Sequence, residues 1–242
     1  MLKTLSKRLP AVALSLAVVS HAALAQTAQE RLKDLIPGVT ADAVLESPVP
    51  GLYEIRYGTQ IFYATGDGQY VLQGNLVEMA SRTNLTEASR TEARKVVMEA
   101  QDESRMVVYA PKGEVKHTIT VFTDADCTFC RRMHAEMEQI NDLGIKVRYL
   151  LFPRTGVDSP SYRKAVGIWC ADDRNHAMDE AKLGRDIPVK NCDNPVQAHM
   201  LLGEQVGVQG TPAIVLEGGQ MLPGYRPANE LAAILEQVKN GR

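Results

Sequence analysis

Three basic residues, Lys3, Lys7 and Arg8, precede an apolar run from Leu9 to Val19, and the small-residue tripeptide Ala23-Leu24-Ala25 follows. This layout predicts a secretory leader cleaved after Ala25. A membrane anchor is the alternative, but the run falls short of the ~20 apolar residues that span a bilayer, and no later stretch approaches them. From Thr40 to Met79 the apolar positions come in short clusters: Leu52, Tyr53, Ile55 and Tyr57, then Ile61, Phe62 and Tyr63, then Tyr70, Val71 and Leu72. Gly58-Thr59 and Thr65-Gly66-Asp67-Gly68 separate them, which predicts a small antiparallel meander. So small a core is marginal alone, and such a module is expected to dock or dimerise.

Between Thr86 and Ser104 the chain turns charged around a thin apolar set of Ala88, Val96, Val97 and Ala100. The pattern predicts a helix with Thr86 as N-cap, bridging two strand-rich regions as a linker; a surface helix of one domain is the alternative. From Met106 the rhythm becomes strand, crossover, strand. Strands are expected at Met106–Tyr109, Thr118–Thr123 and Lys146–Phe152, with a helix carrying Met133, Met137 and Ile140 between the last two. Tyr162–Asp172, Pro195–Val206 and Pro227–Val238 read as helices, and Ala213–Glu217 with Gly219–Leu222 as a hairpin. The expected fold class is α+β, with two cores. There is no internal repeat and no low-complexity segment.

Formal net charge is -2, and no run of Lys or Arg stands out. The broad basic surface of a nucleic-acid binder is missing, so proteins or small molecules are the expected partners. The chain carries four cysteines, an even number. In an exported protein that favours disulfide chemistry. Cys127 and Cys130 form a close pair, whereas Cys170 and Cys192 stand far apart.

Cys127-Thr128-Phe129-Cys130 follows a predicted strand and opens a predicted helix. Unpaired backbone N–H groups and the positive end of the helix dipole stabilise a thiolate there, and the thiolate is the attacking species in disulfide exchange. Cys127 is therefore the expected nucleophile, at the exposed end of the motif, and Cys130 the resolving thiol. One such motif supports oxidation, reduction or isomerisation. A zinc knuckle is the competing reading, but it needs a second close pair or two neighbouring histidines. Cys170, Cys192, His117, His134, His176 and His199 do not supply either, and no metal or other cofactor is expected.

His134 lies one helical turn beyond Cys130 and is expected as an exposed helix residue, with contact to the site as the alternative. Asp126, directly before Cys127, would raise the thiol pKa if it faced the sulfur. Consecutive side chains diverge, and it is expected to point to solvent. The distant pair, Cys170 and Cys192, reads as a structural disulfide, with a second redox pair as the alternative. Thr211-Pro212 leads into a predicted strand; Pro212 is either a boundary residue or the site of a cis peptide bond. Asn84-Leu85-Thr86 matches a glycosylation sequon, which a bacterial host would make coincidental.

The sequence resembles the thioredoxin superfamily, and within it the periplasmic disulfide isomerases of the DsbC/DsbG family, over essentially all of the mature chain. The resemblance rests on Ile119-Thr120-Val121-Phe122-Thr123-Asp124 before Cys127, on Leu143-Gly144-Ile145 with Val147-Arg148-Tyr149-Leu150, and on Phe152-Pro153-Arg154. It continues through Ile168-Trp169-Cys170-Ala171, Gly210-Thr211-Pro212-Ala213 and Pro223-Gly224-Tyr225. It implies a cystatin-like dimerisation domain at 26–85, a linker helix at 86–104 and a thioredoxin-like domain with a helical insertion at 105–242. It further implies a V-shaped homodimer whose non-polar cleft holds misfolded exported proteins, and a membrane thiol reductase of the DsbD type as partner. In that family Cys127 and Cys130 would be the redox pair and Cys170 and Cys192 the structural disulfide. Pro212 would be cis, and Thr128, Phe129, Thr211 and Pro212 would line the substrate site. The dipeptide between the cysteines is Thr128-Phe129 rather than the Gly-Tyr of the family's best-known member, and this dipeptide tunes redox poise. The expected activity is disulfide isomerisation with chaperone function. A thiol-independent holdase and a DsbG-like reductase of oxidised single cysteines are the alternatives.

Overall fold

The computed structural model describes residues 21–40 and 43–241, with side chains from Ala28 onward. The expected leader falls largely on residues 1–20, outside the described ones. The backbone of residues 21–25 forms the start of the first helix, α1 (His21–Leu35). No helix among the described residues is long and apolar enough to cross a membrane.

The chain divides into two compact units, one built on residues up to Ile55 with Tyr63–Val71, the other on Arg56–Phe62 and everything from Leu72. In the first, α1 was not anticipated. Its Ala28 and Leu32, one turn apart, are buried, and the helix stops before Pro37 and Gly38, which has φ 83°. The strands β1 (Val44–Glu46), β2 (Leu52–Tyr57), β3 (Gln60–Thr65) and β4 (Val71–Leu72) form a sheet in sequence order, the meander predicted from the apolar clusters. Gln29 donates to the Val44 carbonyl at 2.8 Å, tying α1 to β1. Val44, Ile55, Tyr63 and Ala64 complete the small core.

A two-stranded ladder, β5 (Val77–Glu78) with β6 (Thr83–Asn84), leads into α2 (Leu85–Glu99). The N-cap is Asn84, whose side chain accepts from Glu87 N at 2.9 Å, and not Thr86 as expected. Thr86 is buried and its hydroxyl accepts from Leu76 N at 2.8 Å. The sequon-like triplet is thus a helix start. Arg94, 5% exposed, donates from Nε to the Val206 carbonyl (3.1 Å) and from Nη1 to the Gly219 carbonyl (2.8 Å). Gly219 sits at φ 84°, and a Cβ there would lie 2.2 Å from the Thr91 carbonyl, so close packing of α2 requires glycine.

The remaining elements are β7 (Val107–Tyr109), β8 (His117–Thr123), α3 (Thr128–Ala135), α4 (Met137–Asp142), β9 (Ile145–Leu151), α5 (Pro160–Trp169), α6 (Arg174–Lys182), α7 (Val196–Val206), β10 (Ala213–Leu216), β11 (Met221–Pro223) and α8 (Ala228–Lys239). The sheet order is β11-β10-β8-β9-β7, with β8 and β9 parallel. β10 and β11 run antiparallel with Ala213 opposite Pro223, and β10 also pairs antiparallel with β8. The α+β class is as expected. Strand β8 is buried along almost its whole length. Ile119 and Val121 face a core shared with Met133, Met137 and Ile140, while Phe122 faces the opposite one with Leu202 and Val206 of α7.

The single helix expected after the cysteines is broken at Glu136 (φ -98°, ψ 13°), which accepts from Ala228 N at 2.8 Å and from the Tyr225 hydroxyl. The break keeps all three predicted apolar positions buried. Cys170 caps the end of α5 and is bonded to Cys192, 22 positions on. The loop so closed contains the whole of α6, a helix not predicted from the sequence. A Cys170→Ala/Cys192→Ala protein is expected to lose about 3 kcal/mol, the chain-entropy value for a loop of this length. Equilibrium urea unfolding followed by tryptophan fluorescence measures it, Trp169 being the sole tryptophan.

Candidate active site

Strand β8 ends at Thr123, and the turn Asp124-Ala125-Asp126 redirects the chain into α3. Asp124 anchors that turn. Its carboxylate is 1% exposed, and both oxygens are occupied. Oδ1 accepts from Ser161 Oγ at 2.6 Å and Asp126 N at 2.9 Å, and Oδ2 from Arg154 Nε at 3.0 Å and Arg154 N at 3.1 Å. Burial opposes the charge, but the bonds from Ser161, Asp126 and Arg154 outweigh it and hold the carboxyl below its ordinary value. The main-chain carbonyl of Asp124 accepts from Cys127 N at 3.2 Å.

Cys127 is the N-cap of α3, with extended backbone (φ -84°, ψ 121°) and its sulfur accepting from Cys130 N at 3.4 Å. The geometry is that of a side-chain N-cap with sulfur in place of oxygen. Both thiols are free. Cys127 does not stand at an exposed end as expected. It is 2% exposed against 1% for Cys130, because the loop before β10 lies over it and its thiol donates to the Thr211 carbonyl at 3.1 Å. The peptide Thr211-Pro212 is cis. What the motif presents outward is Thr128 and Phe129, the latter 58% exposed.

The two sulfurs differ in acidity. Burial works against the Cys127 thiolate, yet the Thr211 hydroxyl, the Cys130 thiol, the Cys130 N–H and the Arg154 charge together bring its pKa below the ordinary thiol value. Burial pushes the Cys130 thiol up, with Lys182, the Asp124 N–H and Thr211 opposing. The Thr211 hydroxyl is buried and has no hydrogen-bond partner among the described residues, so it is free to donate to whichever sulfur is charged.

Asp126, expected to point to solvent, has its side chain 35% exposed and held in ion pairs. Its carboxylate pairs with Arg131 at 3.1 Å and with Lys164. His134 differs from expectation, since its side chain is only 9% exposed. Its Nε2 meets Asp179 Oδ1 at 2.9 Å and its Nδ1 the Tyr149 hydroxyl at 3.3 Å, while Tyr109 donates to the same Asp179 at 2.6 Å. Burial is the main reason that the His134 pKa is lowered. Asp179 lies on α6, and without that helix in view nothing in the sequence marked a partner for His134.

The residues that sequence reasoning did not assign to the site are Asp124, Arg154, Ser161 and Lys182. Asp124 and Arg154 do sit within the strings that carry the family resemblance. Ser161 and Lys182 had no signal of their own. A groove of about 270 Å³ passes the cis proline, lined by Gly210, Thr211, Pro212, Met221 and Pro223 among others. Among the described residues no group of three or more His, Cys, Asp or Glu could hold a metal ion. Two close thiols of unequal acidity beside a cis proline are equipped for thiol–disulfide exchange.

Residues 103–239 match the model of a thioredoxin-like domain, and residues 19–87 that of the disulfide bond isomerase protein N-terminal domain. The chain is 38% identical over 237 residues to the thiol:disulfide interchange protein DsbC of Salmonella typhimurium, covering 96% of this chain and 97% of that one. It is 39% identical over 204 residues to DsbC of Dickeya dadantii, covering 84% and 83%. The crystal structure of a disulfide interchange protein from Neisseria gonorrhoeae superposes with a TM-score of 0.50 at 33% identity, over 57% of this chain and 97% of that one. With the dithiol helix, the cis proline and the five-stranded sheet in place, these likenesses settle its kinship: the chain belongs to the DsbC family of thiol:disulfide interchange proteins.

Proposed function

We propose that this disulfide isomerase acts through Cys127 as nucleophile and Cys130 as resolving thiol on misfolded, disulfide-containing exported proteins. The observation that carries the assignment is the Cys127 sulfur at the N-cap of α3, accepting the Cys130 N–H beside the cis Thr211-Pro212 peptide. The Cys127 thiolate attacks one sulfur of a wrong disulfide. A bond from Cys127 to that sulfur forms, the substrate bond breaks, and the second substrate sulfur leaves as a thiolate. When another substrate thiolate attacks the mixed disulfide, the substrate gains a rearranged bond and Cys127 is regenerated. When Cys130 attacks instead, the substrate leaves reduced and the protein dithiol is oxidised. A membrane thiol reductase of the DsbD type would then return the pair to its working state.

Thr128, Phe129, Thr211 and Pro212 form the substrate-binding rim in this reading. The exposed Phe129 gives an apolar footing and the groove past Pro212 takes an extended segment. Cys170 and Cys192 stay oxidised as a structural bond and take no part in exchange. The N-terminal domain pairs two copies, which the exposure of Tyr70 (68%), Val71 (59%) and Met79 (85%) supports. Apolar surface of this kind also supports a holdase function independent of the thiols. The periplasm is the compartment consistent with the expected leader and with the exchange chemistry.

Because only the thiolate reacts, alkylation of the reduced protein by iodoacetamide is expected to show Cys127 still reacting as pH falls below the ordinary thiol range, with Cys130 silent until well above it. Peptide-resolved mass spectrometry across a pH series reads both. A Cys127→Ala protein is expected to recover no active enzyme from a scrambled multi-disulfide client while still suppressing aggregation of a cysteine-free one. A Cys130→Ala protein should accumulate the mixed disulfide, visible on a non-reducing gel. Recovery that survives Cys127→Ala would sink the assignment.

A further inference from the structure

Lys182, the last residue of α6, is 4% exposed, and among the described residues no carboxylate lies within ion-pair distance of it. Its Nζ donates to Thr123 Oγ1 at 2.6 Å and to the Asp124 carbonyl at 3.0 Å, both neutral oxygens at the turn that leads into Cys127. It also stands 5.6 Å from the centre of the Tyr149 ring. Burying an ammonium is costly when no charge answers it, and two neutral acceptors offset only part of that cost. The charged and titratable groups around it are Cys127 at the cap of α3, Cys130, Arg131 and His134 on that helix, Asp124 before it, Tyr149 on β9, and Asp179 on its own helix. The Asp124 carboxylate is already engaged by Arg154 and Ser161, and Asp179 by His134 and Tyr109. Cys130 is the group that lacks a counter-charge. It lies in the first turn of α3 rather than at its cap, and it is 1% exposed.

We propose that Lys182 is a positioning residue for the resolving step, its ammonium being the counter-charge against which Cys130 attacks the mixed disulfide. The inference rests on Cys127 and Cys130 being the exchanging pair. In that step the Cys130 thiol first loses its proton to solvent. Its sulfur lone pair forms the bond to Cys127 Sγ, the bond from Cys127 to the substrate sulfur breaks, and the substrate sulfur leaves with the electron pair and takes up a proton. The protein dithiol is oxidised by two electrons and the substrate disulfide reduced by two. Among the influences that favour the Cys130 thiolate, the Lys182 charge is the largest. Burial in turn brings Lys182 down to about 8, with Cys130 and Asp124 opposing, so each charge offsets part of what burial costs the other. Lys182 thereby biases the competition between escape through Cys130 and rearrangement by a substrate thiol.

Dithiobis(nitrobenzoate) separates the two steps, since attack by Cys127 releases the first chromophoric thiolate and attack by Cys130 the second. Stopped-flow traces of the reduced full chain across a pH series are compared for wild type, Lys182→Met, Lys182→Gln and Lys182→Arg, with melting temperatures alongside. The expected result for Met and Gln is a first phase close to wild type and a second phase about 10-fold slower at neutral pH for each unit of Cys130 pKa gained. Its inflection should move to higher pH, and Arg should restore most of the rate. A second phase with wild-type rate and inflection in both neutral variants would overturn the proposal. So would slowing that is equal at every pH and shared by Arg, the signature of a packing role. A first phase that persists in Cys127→Ala would instead remove the dithiol assignment beneath it.

Discussion

The carboxylate of Asp124 is taken fully out of water and repaid by four donors, and the active end of the sheet depends on that arrangement. Hydrogen bonds to a charged group are worth roughly 1.5–3 kcal/mol each, whereas an unpaired buried carboxylate is prohibitive. The donors come from three places in the chain: Asp126 in the same turn, Arg154 after β9, and Ser161 at the start of α5. One side chain thus ties together the end of β8, the loop beyond β9 and the inserted helices. Its main-chain carbonyl then receives both Cys127 N and Lys182 Nζ. The position of Cys127 and that of the buried cation are set by the same residue.

Much of this could be read in the sequence because the signals were local. A continuous apolar run such as Ile119 to Phe122, except for Thr120, marks a strand buried on both faces, and a cysteine pair directly after it falls at a helix start. The apolar clusters between Leu52 and Leu72 have the spacing of a meander. What escaped depended on distant partners. Helix α6 reads Arg-Asn-His-Ala-Met-Asp-Glu-Ala-Lys, in which only Ala177, Met178 and Ala181 are apolar, too few to reveal a buried face. Its Lys182 has the composition of a surface residue and becomes a core residue only because β8 and α3 close over it. With α6 unseen, His134 lost Asp179 and appeared solvent-exposed. Thr86 was favoured as N-cap by type, but its hydroxyl is spent on Leu76, and Asn84 takes the position.

The four cysteines divide into a bonded pair and two free, buried thiols. Cys170 and Cys192 join the end of α5 to the segment before α7, so that the helix bearing Asp179 and Lys182 hangs between two fixed points. That bond lies one helix away from the two free thiols. Arg94 plays a comparable part elsewhere in this unit. It reaches the Val206 carbonyl at the end of α7, where helix carbonyls lack partners and the dipole is negative, and a second carbonyl at Gly219. Helix α2 is therefore held to the sheet by a charge at a helix terminus as well as by Met98 in the core.

The burial of both free thiols separates two properties that an exposed thiolate would join. A low thiol pKa raises the fraction in the nucleophilic form, and in oxidising surroundings that same fraction would be lost to every passing oxidant. Here Cys127 is acidic and also covered, with Thr211 over it and Phe129 forming the visible surface. A small oxidant in solution meets Phe129 and the Thr211 main chain before it meets the Cys127 sulfur. Ionisation and access are thus set by different groups: ionisation by the Cys130 N–H and the Arg154 charge among others, access by the Thr211 main chain and the Phe129 surface.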